Sequence, residues 1–241
     1  MAMTSKLTDF EAALKHKYRL PNGTPLVNVT AISGLMDMGK SNAFAGAAVK
    51  LTKQGLNYRE EWNAKGDRGT RVHGHCEKWL VGEDVDAEDD ELGYLDAMEK
   101  FFGDHEPNMI CKEEIVVSSR GYGGRFDMIV KPAQGKYEGE TCLIDLKTGK
   151  QYPTEHTLQL AAYRYADGMA QFDDEGHLSH LLPLPQIERT LALYVADDGS
   201  YQLKEYPADP DAFAQFCHLL DARNWATSDT MKQLEKEARA K

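Results

Sequence analysis

The sequence lacks a cysteine framework, a long apolar run and an excess of positive charge, and each absence narrows what the chain can be. Its four cysteines, Cys76, Cys111, Cys142 and Cys217, stand far apart with no Cys-x-x-Cys spacing. That argues against a disulfide scaffold, a zinc knuckle or a closely spaced iron–sulfur cradle, and a reducing cytoplasm is the expected compartment. Nothing approaches the roughly 18 uninterrupted apolar residues of a membrane span. The opening segment, MAMTSKLTDFEAALKHKYRL, also lacks the apolar core of a signal peptide. No membrane association is expected. Repeats, low-complexity tracts and Pro/Ser linkers are missing too, so the 241 residues are read as a single domain, 1–241. A chain of this size buries about 70% of its unfolded surface and needs no staple.

What is present is acidic on average, with a net charge of −11, which by itself weakens a nucleic-acid reading because affinity for phosphate rests on Lys and Arg. The charge is unevenly placed. Between Gly82 and Glu106 eleven acids face one base, Lys100, a balance of −10, whereas between Lys112 and Lys150 seven bases face six acids. The acidic run Glu83 to Glu91 reads as a solvated loop. The average therefore hides a neutral-to-basic middle.

Patterning predicts a mixed α/β fold, a central mixed β-sheet flanked by helices. A β-leaning Leu26 to Thr30 precedes a helical run from Ser41 to Leu51. After a turn-like Lys65-Gly66-Asp67, the segment from Gly69 to Leu80 places Val72, Cys76, Trp79 and Leu80 on one stripe, with His73 and Glu77 sharing a face beside it. A helix is expected from Leu92 to Phe102. Then the period changes to two: Glu114 to Ser118 and Arg125 to Val130 flank Gly121-Tyr122-Gly123-Gly124 as a hairpin, and a third strand covers Thr141 to Thr148. Thr154 caps a predicted helix from Glu155 to Met169. Strands at Ile187 to Ala196 and Tyr201 to Tyr206 precede helices at Asp211 to Trp225 and Asp229 to Ala240.

The chemistry concentrates on the third strand. Alternation puts Leu143, Asp145 and Lys147 on one face and Cys142, Ile144 and Leu146 on the other. A carboxylate and an ammonium inside an apolar strand need a partner or a metal. Asp127, read as pointing away from Phe126, Met128 and Val130, converges with Asp145 if the two strands pair. Two carboxylates a few ångströms apart repel unless a cation lies between them, and such an oxygen-rich site suits Mg²⁺ or Mn²⁺. Lys147 would order or help deprotonate a water there, which is the logic of metal-assisted hydrolysis.

These residues resemble the PD-(D/E)xK phosphodiesterase superfamily and, within it, the RecB-like nucleases, which include CRISPR-adaptation nucleases and many phage exonucleases. The resemblance rests on Gly69-Thr70-x-x-His73-x-x-x-Glu77, Gly123-Gly124-x-x-Asp127, Asp145-Leu146-Lys147 and Gln159-x-x-x-Tyr163, in that order. This motif core spans residues 69–163, with residues 1–68 and 187–241 as elaborations. The resemblance implies a restriction-endonuclease-like core in which His73, Asp127, Asp145 and the Leu146 carbonyl hold Mg²⁺ or Mn²⁺. Lys147 would position the attacking water. Gln159 and Tyr163 would contact the substrate backbone or brace the catalytic strand, with Glu77 and Glu114 as accessory acids. Iron–sulfur members carry a Cys cluster near the C-terminus; here Cys217 stands alone, so no cluster is expected. Arg71, Arg120, Arg125 and Lys150 are the candidate phosphate contacts. The expected activity is a DNA exonuclease of replication, recombination or repair, in a bacterial or phage-infected cytoplasm, with DNA ends as substrate and recombination or replication proteins as partners. A catalytically silent DNA-end or partner-binding module and a site-specific endonuclease are the alternatives.

Overall fold

An apolar strand interrupted by charge can be buried only if something covers both of its faces, and here helices do so. The computed structural model describes residue 19 and residues 24–36, 40–80, 83–172 and 178–239. In chain order the elements are β1 (Val27–Asn28), α1 (Val29–Ser33), α2 (Lys40–Lys53), α3 (Tyr58–Leu80), α4 (Leu92–His105) and β2 (Asn108–Lys112). Next come β3 (Ile115–Ser118), β4 (Tyr122–Arg125), β5 (Met128–Lys131), β6 (Cys142–Lys147), α5 (Pro153–Arg164), β7 (Gly168–Phe172) and β8 (Leu178–Leu182). The chain closes with β9 (Arg189–Val195), β10 (Tyr201–Glu205), α6 (Pro210–Ala226) and α7 (Asp229–Arg239).

The fold is mixed α/β. One sheet has the order β10-β9-β6-β5-β2, with β6 and β9 parallel and the other pairs antiparallel. The alternation read from β6 holds. Cys142, Ile144 and Leu146 pack with Val72 and Cys76 of α3 and with Ala97, Met98 and Phe101 of α4. Leu143 packs on the other side with Leu160, Ala161 and Phe216 of α5 and α6. Helix α5 is buried around its whole circumference, from His156 through Tyr163 apart from Thr157, as a helix wedged between layers must be. Pro153 opens it, and Asp209 caps α6 by accepting from the Ala212 amide at 2.9 Å.

A second sheet, ordered β1-β4-β3-β7-β8, was not foreseen. The hairpin is β3 with β4, so Gly123 and Gly124 lie within a strand rather than in its turn. Residues 125–130 do not form one strand: β4 ends at Arg125 in the second sheet and β5 starts at Met128 in the first. Phe126 consequently packs on the α5 side while Met128 and Val130 pack against α3 and α4. The predicted helix to Met169 stops at Arg164, and Met169 pairs with Val116 and Leu182 instead. The turn expected at Lys65-Gly66-Asp67 is helical, inside the 23-residue α3. Asn28 caps α1, cutting the β-leaning segment to two residues. Trp79 leaves the expected buried stripe and lies at the rim against Phe102, ring centroids 4.9 Å apart. Ala240 lies outside the described residues.

Candidate metal-dependent catalytic site

The crossing between the two sheets makes the site. Asp127 sits where the chain leaves β4 and enters β5, and the register Met128 to Ile144 brings it level with Asp145. Where β5 gives out, a side chain continues the ladder: the Leu146 amide donates to Asp127 Oδ2 at 2.5 Å. A strand residue presents its N–H and C=O on one edge, so the Leu146 carbonyl lies on the Asp127 side. The other oxygen of Asp127 meets His73 Nδ1 at 3.1 Å. His73 reaches it because α3 passes close to the loop after β6. A Cβ on Gly69 would sit 3.0 Å from Thr148 Oγ1, and one turn further along that face stands His73.

Asp145 is 3% exposed. Its Oδ2 is ion-paired with Lys147, and Oδ1 accepts from Gln159 Nε2 at 3.1 Å. Gln159 is fully committed: its Oε1 accepts from Lys147 Nζ at 3.0 Å, and its Nε2 also donates to Tyr163 Oη at 3.0 Å. Tyr163 is itself buried and packs edge-on to Phe126. The pair on α5 therefore braces Asp145 and Lys147, the second of the two roles the sequence suggested for it.

The charges are strongly coupled. Burial pushes Asp127 up, but the His73 charge and hydrogen bond, Lys147 and the Leu146 amide together hold it below the ordinary carboxylate value. Asp145 is raised, chiefly by burial and with Asp127 adding, against the pull of Lys147. For both His73 and Lys147 burial favours the neutral form. It is outweighed in His73 by Asp127 and Asp145, and in Lys147 by Asp145 and Asp127, so both are raised. Lys147 is thus an ammonium here, suited to orienting water and meeting negative charge rather than taking a proton.

One acid escaped sequence reading. Glu113, at φ 51°, places its amide on the Asp127 carbonyl at 2.8 Å, and its carboxyl is pushed up to about 8 by burial and by Asp127 and Glu77, against Arg125 and His73. Glu114, the neighbour preferred from sequence, instead adds its charge to burial in raising the Cys111 thiol. The left-handed backbone at Glu113 turns the two carboxyls different ways, which no sequence pattern announces. Glu77 is exposed on α3, its field felt at Glu113.

Four acids, Glu77, Glu113, Asp127 and Asp145, and two basic groups, His73 and Lys147, are thus linked through one another's fields. Asp145 Oδ2 makes no hydrogen bond of good geometry. In chemistry such a hard, oxygen-rich set would suit Mg²⁺ or Mn²⁺, and His73, Asp127, Asp145 and the Leu146 carbonyl are the groups that could offer donors. The donors are not drawn into a closed set. Among the described residues the only three acidic, His or Cys donors within 4.8 Å of one another belong to Glu88, Asp90 and Glu91. That trio is already occupied: Glu91 holds Arg71, His75 Nε2 at 2.9 Å and the Glu88 amide at 3.0 Å, and Asp90 meets Arg68. These contacts also correct one expectation, since Glu91 is buried rather than solvated, and they place Arg71, a candidate phosphate contact, on Glu91 and Glu88. Arg125 pairs with Glu113 at 3.0 Å. Arg120 is exposed with its guanidinium 5.8 Å from the Phe213 ring, and Lys150 is exposed three residues beyond Lys147.

No family model matches the chain, and no curated protein matches it. A solved structure described as "Crystal structure of SSO0001" aligns over 94% of this chain and 86% of that one, at 13% identity and a TM-score of 0.39. A likeness that slight carries no functional argument.

Proposed function

We propose that the chain is a Mg²⁺- or Mn²⁺-dependent DNA nuclease resembling the RecB-like branch of the PD-(D/E)xK superfamily, acting on DNA ends as an exonuclease. The observation that carries this reading is the convergence of Asp127 and Asp145 at adjoining strand ends, with Lys147 beside them and Gln159 fixing both Asp145 and Lys147. A bound divalent ion would polarise the phosphoryl oxygen and lower the pKa of a water. Asp127, Asp145, His73 and the Leu146 carbonyl would hold it. Lys147, partly exposed and cationic, orients the water and meets the charge that grows on the phosphoryl group. Gln159 and Tyr163 keep that ammonium in place.

Incubation of the protein with end-labelled linear DNA and closed circular DNA, in Mg²⁺, Mn²⁺ or EDTA, tests the reading. Linear DNA is degraded with either metal, EDTA abolishes the reaction, and the circle survives far longer. Equal rates on both substrates would make the protein an endonuclease. A protein that binds DNA ends but releases no nucleotides with any divalent metal would be a silent binding module.

A further inference from the structure

At the carboxyl ends of the parallel strands β6 and β9 lies a polar cleft of about 370 Å³, lined by Thr148, Lys150, Gln151, Tyr194, Tyr201 and Gln202 among others. Open α/β sheets place ligands outside the carboxyl ends of parallel strands, and here the cleft begins at the residue after Lys147. Resting on the nuclease reading above, we infer that this cleft receives the nucleotide next to the scissile phosphate of a single DNA strand, with Lys150 on its phosphate and Tyr201 beside its base.

Lys150 carries the argument. It is the one cation lining the cleft, where Asp197 is the one acid. Arg68, Arg71 and Arg125 are each paired with carboxylates, whereas Lys150 has no ion-pair partner among the described residues and is exposed. Three residues of chain separate it from Lys147, a backbone span of at most about 11 Å, so a strand whose scissile phosphate lies at Lys147 would bring its next nucleotide to the cleft that Lys150 lines. The cleft walls are rigid. Tyr201 gives its hydroxyl to Asp104 at 2.8 Å and packs edge-on against Phe101, leaving a fixed ring at the cleft. Gln151 is held by Gln202 at 2.7 Å and by Lys204 at 2.5 Å. A fixed aromatic beside amide groups accepts any base, since every base offers a π-face and polar edges. A pocket for one nucleotide cannot admit a paired base, so the occupant is single-stranded or a frayed end.

The test uses a short fluorescein-labelled single-stranded oligodeoxynucleotide and a set in which one methylphosphonate neutralises each linkage in turn. Lys150→Gln should weaken binding, read by fluorescence anisotropy, about tenfold, the loss expected for one charge-assisted contact. One methylphosphonate position should cost the wild-type protein a similar factor and cost the Lys150→Gln variant nothing more. Tyr201→Leu should weaken binding while leaving that phosphate dependence intact. An unchanged affinity in Lys150→Gln, or equal further losses at every position, overturns the cleft. If the wild type then still cleaves the oligonucleotide, the nuclease reading stands without it. Lys150-dependent binding without cleavage in any divalent metal supports the cleft and overturns the nuclease reading.

Discussion

Replacing Asp145 by Asn separates what the carboxylate does for the fold from what it does for chemistry. The amide keeps the volume and keeps an oxygen for Gln159 Nε2, now at 3.1 Å, but removes the charge that faces Lys147. Removing one partner of a buried ion pair costs about 3–5 kcal/mol. Lys147 is 21% exposed on its side chain, and relief of repulsion with Asp127 offsets part of the loss, so about 2–3 kcal/mol is the expected net cost. For a domain of this size that lowers Tm by roughly 4–12 °C. A carboxylate that merely repelled Asp127 would behave oppositely, and its removal would stabilise the metal-free protein. Lys147→Met should destabilise as well, leaving two carboxylates without their cation. The double variant should lose clearly less than the sum of the two singles. All three variants should lose cleavage by about a thousandfold or more, because the electrostatic arrangement is broken in each. Thermal melts and urea titrations give the stabilities, and release of label from linear DNA at saturating Mg²⁺ gives the rates. Additive stabilities would refute the pairing, and near-wild-type turnover in Asp145→Asn would refute the site.

His73→Ala should weaken Mn²⁺ binding about tenfold or more with little loss of stability; an unchanged calorimetric affinity would make His73 a structural residue bonded to Asp127. Burial raises the Glu91 carboxyl, but the Glu88 amide, Arg71 and His75 outweigh it and hold it below the ordinary value. Its stabilisation is therefore complete above the unfolded pKa of about 4.3 and is lost as pH falls through the folded one. Glu91→Gln should be less stable than wild type at neutral pH, the gap narrowing below about pH 4 in urea titrations; a gap independent of pH would count against the ionised contact. In Gly124→Ala the new methyl would stand 2.7 Å from Tyr163 Cε1 and 2.9 Å from Val29 Cγ2. A loss of about 1–3 kcal/mol is expected, with a fall in cleavage as Tyr163 pulls on Gln159; wild-type melting would refute the close approach.

The parts legible in the sequence are those fixed by local periodicity. The strand from Cys142 to Lys147 alternates as read, the helix from Leu92 follows its apolar periodicity, and the helices beginning at Pro210 and Asp229 start where a cap or an acidic first turn places them. What escaped depends on partners distant in sequence. Strand β7 pairs with β3 some fifty residues away, and nothing in Gly168 to Phe172 distinguishes it from the tail of the preceding helix. The acidic run looked uniform, yet one member, Glu91, turns inward because Arg71 and His75 await it on α3. Glu113 and Glu114 are indistinguishable as letters; the backbone of Glu113 alone decides which joins Asp127.

The position of Asp127 ties these points together. Read as one strand, residues 125–130 would have set Phe126, Met128 and Val130 on a common face and Asp127 opposite them by alternation alone. The structure gives a different cause. Phe126, just past the end of β4, donates its amide to the Glu114 carbonyl and packs on the α5 side, whereas Met128 is paired with Ile144 in the first sheet. Asp127 spans the seam, and its side chain supplies the acceptor that the Leu146 amide would otherwise lack. That bond stabilises the end of β6 and, after the larger pull of the His73 charge and hydrogen bond and of Lys147, helps to hold the carboxylate below its ordinary value against burial. Neither sheet alone assembles this arrangement: the first contributes Asp145 and Lys147, and the second ends at the residue before the turn into Asp127. A substitution that loosened the second sheet, far from any ionisable group, would therefore be felt at the site through Asp127 before it was felt in the core around β6.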